Sequence, residues 1–148
     1  MYKHILLPTD GSELSENAAK SCLAFAKSIG ARVTGLYVLQ EYTPILATEG
    51  FGYVDPQTVE QFEKSAESYA KNCLESIRKK ADAAGVDCDC VVETDFHIYE
   101  AIIRTAGEKG CDLIWMASHG KRGITGLLLG SETSKVLTHS AIPILVYK

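Results

Sequence analysis

Long apolar runs are missing from this chain, and that absence bounds it first. No stretch approaches the roughly 20 consecutive apolar residues that a membrane-spanning helix needs, so no membrane partner is expected. A basic excess is missing too: 15 lysines and arginines against 19 acidic residues give a formal net charge of −4. Without a basic stripe to displace counterions, wide nucleic-acid contact is not expected either. Cysteine is present, but in odd number. Cys22, Cys73, Cys88, Cys90 and Cys111 suit free thiols in a reducing cytosol better than a disulfide framework. The opening Met1-Tyr2-Lys3-His4-Ile5 carries no signal-peptide pattern, and a cytoplasmic location is expected. Repeats, low-complexity tracts and linkers are absent, so residues 1–148 read as one domain, long enough to bury a sizeable core.

Metal chemistry finds little support. The histidines His4, His97, His119 and His139 show no ligand spacing. Cys88 and Cys90 alternate onto one face of a strand, which invites a metal or a redox reading, but nothing completes a zinc set, and buried apolar thiols are expected there.

What is present centres on Leu113 to Ser131. Leu113 to Met116 is a short apolar run of buried-strand type; Ala117-Ser118-His119 follows, with glycines at 120, 123 and 126 and then Gly130-Ser131. Strand, glycine-rich loop and helix N-terminus outline a phosphate site. Loop amides can approach an anion, and the helix start presents unpaired N–H groups and a positive dipole end. Lys121 and Arg122 add two cations. A turn that needs glycine for positive φ would give the same pattern, so the rest of the chain must decide.

Ile5-Leu6-Leu7 reads as a buried strand, ended by Pro8-Thr9-Asp10-Gly11-Ser12. Leu14, Ala18, Cys22, Phe25 and Ile29 mark a helix, with Asp10 or Ser12 as N-cap and Gly30 as its stop. Arg32 to Leu39 is a second strand, and Thr43 to Asp55 a long surface loop. Pro56 opens the longest helix, whose core face is Val59, Phe62, Ala66, Tyr69, Cys73, Ile77 and Ala81. Val86 to Val92 is a third strand and Ile98 to Ala106 a short helix. A last helix through Val136 and Leu137 stops before Pro143, and Ile144 to Tyr147 is a final strand. This β-α alternation predicts an α/β protein with a five-stranded parallel sheet and helices on both faces. In such sheets ligands bind beyond the carboxyl ends of strands where the connection direction reverses. If strands one and four are neighbours, Pro8–Ser12 and Ala117–Ser131 flank one crevice.

With these segments in place, the chain resembles the universal stress protein family over essentially its whole length. Nucleotide-binding members carry Gly-x-x-Gly, nine residues, then Gly-Ser or Gly-Thr. Here the stretch is Ala117-Ser118-His119-Gly120, nine residues, then Gly130-Ser131. The opening Ile5-Leu6-Leu7-Pro8-Thr9-Asp10-Gly11-Ser12 and the ending Thr138-His139-Ser140-Ala141-Ile142-Pro143-Ile144-Leu145-Val146 also resemble the family. The resemblance implies a Rossmann-like sheet of order 3-2-1-4-5, a homodimer, a role in stress adaptation, and ATP, or AMP or ADP, as ligand, with Mg²⁺ accompanying the nucleotide. Two departures stand out. The first motif glycine is Ala117, and the family's glycine after the third strand is missing from Glu93-Thr94-Asp95, where no ligand role is assigned.

The resemblance further implies that Gly120, Gly130 and Ser131 line the phosphates with backbone amides; loop geometry plus a helix cap is the alternative. Asp10 cannot face triphosphate oxygens bare, because like charges repel. It would accept from ribose hydroxyls or hold a divalent cation carried by the phosphates, unless it is simply the N-cap. Pro8 and Thr9 would wall the sugar, and the Val38 backbone would read the adenine edge. Met116, Ala117, Lys121 and Arg122 complete the candidate set, the two cations as phosphate partners. His119 beside Ser118 suggests a base, but neighbours in an extended stretch point apart and no third group orients the ring. No catalytic residue is assigned, and at most slow ATP hydrolysis is expected. Two classes remain open: a nucleotide-binding regulator, or a nucleotide-free dimer acting as an interaction or chaperone-like stress protein, with Ala117 marking a lapsed site. The apolar strand Ile144 to Tyr147 would be a sheet edge, and pairing across a two-fold axis would cover it in a homodimer.

Overall fold

Strands and helices alternate along the computed structural model, which describes residues 1–41, 55–121 and 129–148. In order they are β1 (His4–Pro8), α1 (Glu13–Ile29), β2 (Arg32–Gln40), α2 (Pro56–Ala84), β3 (Cys88–Asp95), α3 (Ile98–Glu108), β4 (Leu113–Ala117), α4 (Ser131–His139) and β5 (Ile144–Tyr147). The five strands form one parallel sheet in the order β3-β2-β1-β4-β5, as expected. The expected loop at 43–55 lies, except for Asp55, outside the described residues.

Strand geometry sends successive side chains to opposite faces, and the core divides accordingly. Ile5, Leu7, Val33, Leu113 and Trp115 pack with Ala18, Cys22 and Ala26 of α1 and with Leu74, Ile77 and Ala81 of α2. Leu6, Leu36, Ile114 and Met116 pack on the other face with Ile102 and Ala106 of α3 and Val136 of α4. β1 lies between both layers, which is why Ile5, Leu6 and Leu7 are fully buried. Ser12, not Asp10, caps α1: its hydroxyl accepts from the Ser15 amide at 3.2 Å. Gly30, at φ 68°, ends the helix in the left-handed conformation that glycine takes without steric cost.

Three expectations need correction. The expected core face of α2 holds only in its second half, where Ala70, Cys73, Leu74, Ile77 and Ala81 are buried. Phe62 and Tyr69 are 58% and 39% exposed, because the first half of α2 extends beyond the sheet and faces a cleft. β3 starts at Cys88 and runs to Asp95, since the whole of β2 from Val33 to Gln40 pairs with it. Cys88 and Cys90 are half-buried rather than buried. The last helix runs through Val136 and Leu137 as expected, with Val136 buried and Leu137 40% exposed.

Candidate functional site

The direction of connection reverses at β1: the chain runs outward through β2 and β3, then crosses back to β4 and β5. A cleft of about 870 Å³ opens at the carboxyl ends of these strands, where an open α/β sheet leaves room between diverging connections. Pro8, Thr9, Asp10, Val38, Met116, Ala117, Gly120, Lys121, Gly130 and Ser131 all line it. Arg122 lies outside the described residues.

Asp10 links the two loops. Its Oδ1 accepts from the Ser12 amide at 3.0 Å, and its Oδ2 accepts from the Lys121 amide at 2.7 Å. Burial would push this carboxyl up, but hydrogen bonds from Ser12, the Lys121 amide and Ser15 outweigh it and hold the group below the usual carboxylate range. Asp10 is therefore a carboxylate at neutral pH. Thr9 is buried, its hydroxyl 3.1 Å from that of Ser15.

The glycines act by close approach, not by positive φ. A Cβ on Gly120 would lie 2.4 Å from Asp10 Oδ2, and one on Gly130 would lie 3.1 Å from the His119 Cα and 3.3 Å from the Ser118 oxygen. Ala117 is the last residue of β4, pairs with Tyr147, and has no positive φ, so its methyl group carries no backbone strain. The Gly130 amide corrects one expectation. It donates to the Ser118 carbonyl at 2.6 Å and is not free for an anion, and the Lys121 amide is likewise taken by Asp10. Among the described residues, the first turn of α4 offers amides toward the cleft. Gly130 is its N-cap and supplies no side-chain cap, so Ser131, Glu132 and Thr133 present the uncompensated N–H groups of a helix start. Thr133 anchors that turn by donating its hydroxyl to the Ala117 carbonyl at 3.0 Å.

The Ser118 hydroxyl and His119 Nδ1 are 3.1 Å apart, against the expectation that these side chains diverge, because the chain leaves the extended conformation after Ala117. Among the described residues no carboxylate is recorded orienting the imidazole, so the pair lacks the third member of a hydrolytic triad. No group of three or more His, Cys, Asp or Glu side chains among the described residues is disposed to hold a metal ion.

The sequence reading missed the outer wall. Thr58, Gln61, Phe62, Ser65, Ala66 and Tyr69 of α2 line the cleft opposite the sheet. The Tyr69 hydroxyl lies 3.4 Å from the Gly11 carbonyl, its ring meets Tyr37 edge-on at 6.1 Å, and Lys121 Nζ sits 3.7 Å from its centroid. The floor adds Leu36, Ile98 and Ile102, so an apolar end beside β2 faces a polar end at α4. The helical period of the α2 residues was legible; that they face a cleft and not the core follows only from where α2 projects past the sheet.

The sheet order and its switch-point cleft define a Rossmann-like α/β protein. The chain belongs to the universal stress protein family, whose family model matches residues 1–148. It is 34% identical over 160 residues to universal stress protein MJ0577 of Methanocaldococcus jannaschii, covering 100% of this chain and 96% of that protein. The solved structure of MJ0577 aligns with a TM-score of 0.82 at the same coverage. A universal stress protein family protein from Arabidopsis thaliana with AMP bound shares the fold at 16% identity and a TM-score of 0.70, covering 99% of this chain and 91% of that one. So does the universal stress protein from Archaeoglobus fulgidus in complex with dAMP, at 17% identity and a TM-score of 0.63, covering 99% and 98%.

Proposed function

We propose that this chain binds an adenine nucleotide, ATP foremost, in the switch-point cleft and acts through its nucleotide state as a cytoplasmic regulator in stress adaptation. The carrying observation is the division of the cleft. Leu36, Val38, Ile98, Ile102 and Met116 line an apolar end suited to a base, and the uncapped first turn of α4 supplies a polar end suited to phosphate. Asp10, ionised between them, fits a ribose hydroxyl donor. Its oxygens keep lone pairs beyond the two amides they accept from, so it also fits one ligand position on a Mg²⁺ ion carried by the phosphates, an ion that characteristically takes one or two protein carboxylates. The AMP and dAMP complexes of the Arabidopsis and Archaeoglobus family members agree with this reading. Among the described residues no group in the cleft is placed as an arginine finger or an oriented base, and the role we propose is binding, with turnover at most slow.

Assembly is part of the proposal. β5 is a sheet edge whose four residues are only half-buried, and a second copy pairing there would remove an exposed apolar edge. The deciding experiment is mass analysis of nucleotide extracted from the purified protein, followed by calorimetry with ATP, AMP and GTP, with and without Mg²⁺. Micromolar adenine-nucleotide binding with weaker GTP binding is expected. No binding by any of the three would leave the nucleotide-free, chaperone-like reading in its place.

A further inference from the structure

Tyr69, on the outer wall where α2 projects past the sheet, touches both loops of the cleft, and the nucleotide reading gives it no role. Its hydroxyl donates to the Gly11 carbonyl over a long 3.4 Å. The Gly11 turn, at φ 76°, packs so closely that a Cβ there would overlap the Tyr69 hydroxyl and the Cys73 sulfur. On the other loop, the Lys121 ammonium sits over the face of the same ring, 3.7 Å from its centroid. Tyr37 of β2 meets the ring edge-on at 6.1 Å and supports it from the sheet.

We propose that Tyr69 is a positioning residue that holds the Lys121 ammonium ready for a polyphosphate chain, so that the cleft favours a nucleoside triphosphate over a monophosphate; this rests on the nucleotide reading of the same cleft. Lys121 is fixed at two points, its amide by Asp10 Oδ2 at 2.7 Å and its side chain by the ring. Among the described residues its ammonium has no carboxylate partner, whereas Lys64, Lys80, Lys109 and Lys135 each pair with one, and Lys121 lines the cleft. An aromatic face attracts a cation through its quadrupole without neutralising it. The N–H donors on the side away from the ring stay available to anion oxygens. A carboxylate in place of the ring would also fix the lysine, but it would cancel the charge and repel phosphate.

The discrimination by chain length follows from where the two ends of the glycine-rich loop lie. α2 packs on the sheet face that carries Ile5, Leu7 and Trp115, and α4 on the face that carries Leu6, Ile114 and Met116. The ammonium against α2 and the first turn of α4 therefore stand on opposite sides of the carboxyl edge of the sheet. A single phosphate resting on the α4 turn is met by helix amides alone. A longer chain crosses the ends of β1 and β4 toward α2, and there it reaches Lys121. Asp10, which holds the Lys121 amide and the Ser12 amide, is a negative charge beside that path, and the ammonium offsets its repulsion of the added phosphates.

The test titrates wild type, Tyr69→Phe, Tyr69→Leu, Lys121→Gln and the Tyr69→Leu, Lys121→Gln double variant with ATP, AMP and inorganic tripolyphosphate by calorimetry. Tyr69→Phe keeps the ring and loses only the long hydroxyl contact, so it should bind as wild type does. Tyr69→Leu should weaken ATP and tripolyphosphate about threefold, the size of an exposed cation–ring contact, and leave AMP unchanged. Lys121→Gln, at an exposed loop position, should likewise reduce the preference for ATP over AMP, and adding Tyr69→Leu to it should cost nothing more. Tripolyphosphate carries no base, so it separates the two readings: failed adenine recognition shows as ATP binding no tighter than tripolyphosphate, whereas the threefold loss of tripolyphosphate in Tyr69→Leu tests the lysine alone. Wild-type ATP and tripolyphosphate affinity in Tyr69→Leu, an equal loss for AMP, an unchanged ATP-to-AMP preference in Lys121→Gln, losses that add in the double variant, or a wild type that binds neither ATP nor tripolyphosphate would each overturn the proposal.

Discussion

Replacing Gly120 by alanine isolates the contact that ties the two loops of the cleft together. The φ of Gly120 is not positive, so alanine meets no backbone strain and the new Cβ is the whole perturbation. It would lie 2.4 Å from Asp10 Oδ2, well inside contact distance. The Asp10 side chain can turn away, but only by giving up the 2.7 Å hydrogen bond from the Lys121 amide. A hydrogen bond to a charged group contributes about 1.5–3 kcal/mol; this one lies at the exposed side of the cleft, which places it at the lower end. Loss of about 1.5 kcal/mol of loop organisation should weaken ATP binding about tenfold. Calorimetric titration of wild type, Gly120→Ala, Asp10→Ala and the double variant measures it. In Asp10→Ala the obstacle is gone, so the double variant should bind no worse than Asp10→Ala alone, giving a coupling close to the full single-variant loss. Wild-type affinity in Gly120→Ala, or two losses that simply add, would refute the reasoning.

Gly130→Val places its branches against the His119 Cα and the Ser118 carbonyl, which are backbone and cannot swing aside; ATP affinity should fall at least tenfold, by the same titration, in a protein whose circular dichroism is unchanged. Ala117→Gly relaxes nothing, since Ala117 lies in β4; it should change ATP affinity a few-fold at most and lower stability to urea by about 0.5–1 kcal/mol. His4 is buried with its Nε2 2.7 Å from the Thr34 hydroxyl, and burial, then Arg32, hold its imidazole below the ordinary value of 6.5. The unfolded chain therefore takes up a proton near pH 6.5 that the folded chain refuses, so stability is complete above pH 6.5 and declines as pH falls from there toward the depressed folded value. Urea midpoints at pH 7.5 and 5 should show this in wild type and not in His4→Gln, above the range where Asp10 and Asp112, both lowered from 3.8, titrate. Leu145→Pro, which removes a donor from β5 and stiffens it, should shift sedimentation toward the monomer; an unaltered dimer would show that β5 is not the interface.

The sheet order was legible from Ile5-Leu6-Leu7 and Leu113–Met116 only with the family resemblance added, since apolar runs reveal buried strands but not their neighbours. Period alone misplaced Phe62 and Tyr69: a helical stripe shows which residues share a face, and the core and a cleft wall both want apolar ones. The Ser118–His119 contact and the engaged Gly130 amide were hidden for a related reason. Both depend on how the chain turns after β4, and no local propensity encodes the 2.6 Å bond from Gly130 back to Ser118. The strain question at Ala117 was likewise undecidable from residue type, and its pairing with Tyr147 answers it.

The position of β1 has a consequence for synthesis. It is the middle strand of the sheet yet the first to be made, and one of its two hydrogen-bonding edges belongs to β4, whose first residue, Leu113, pairs beside Ile5. At about 5–20 residues per second, the 104 residues between Pro8 and Leu113 take about 5–20 s to appear. Within that interval β2 and β3 appear with α1 and α2 and can join β1, β3 only near its end, while the apolar inner edge of β1 stands open until β4 arrives. This is the period in which the nascent chain is most vulnerable to pairing with the wrong strand, and it ends with the arrival of β4, the strand that also opens the glycine-rich loop.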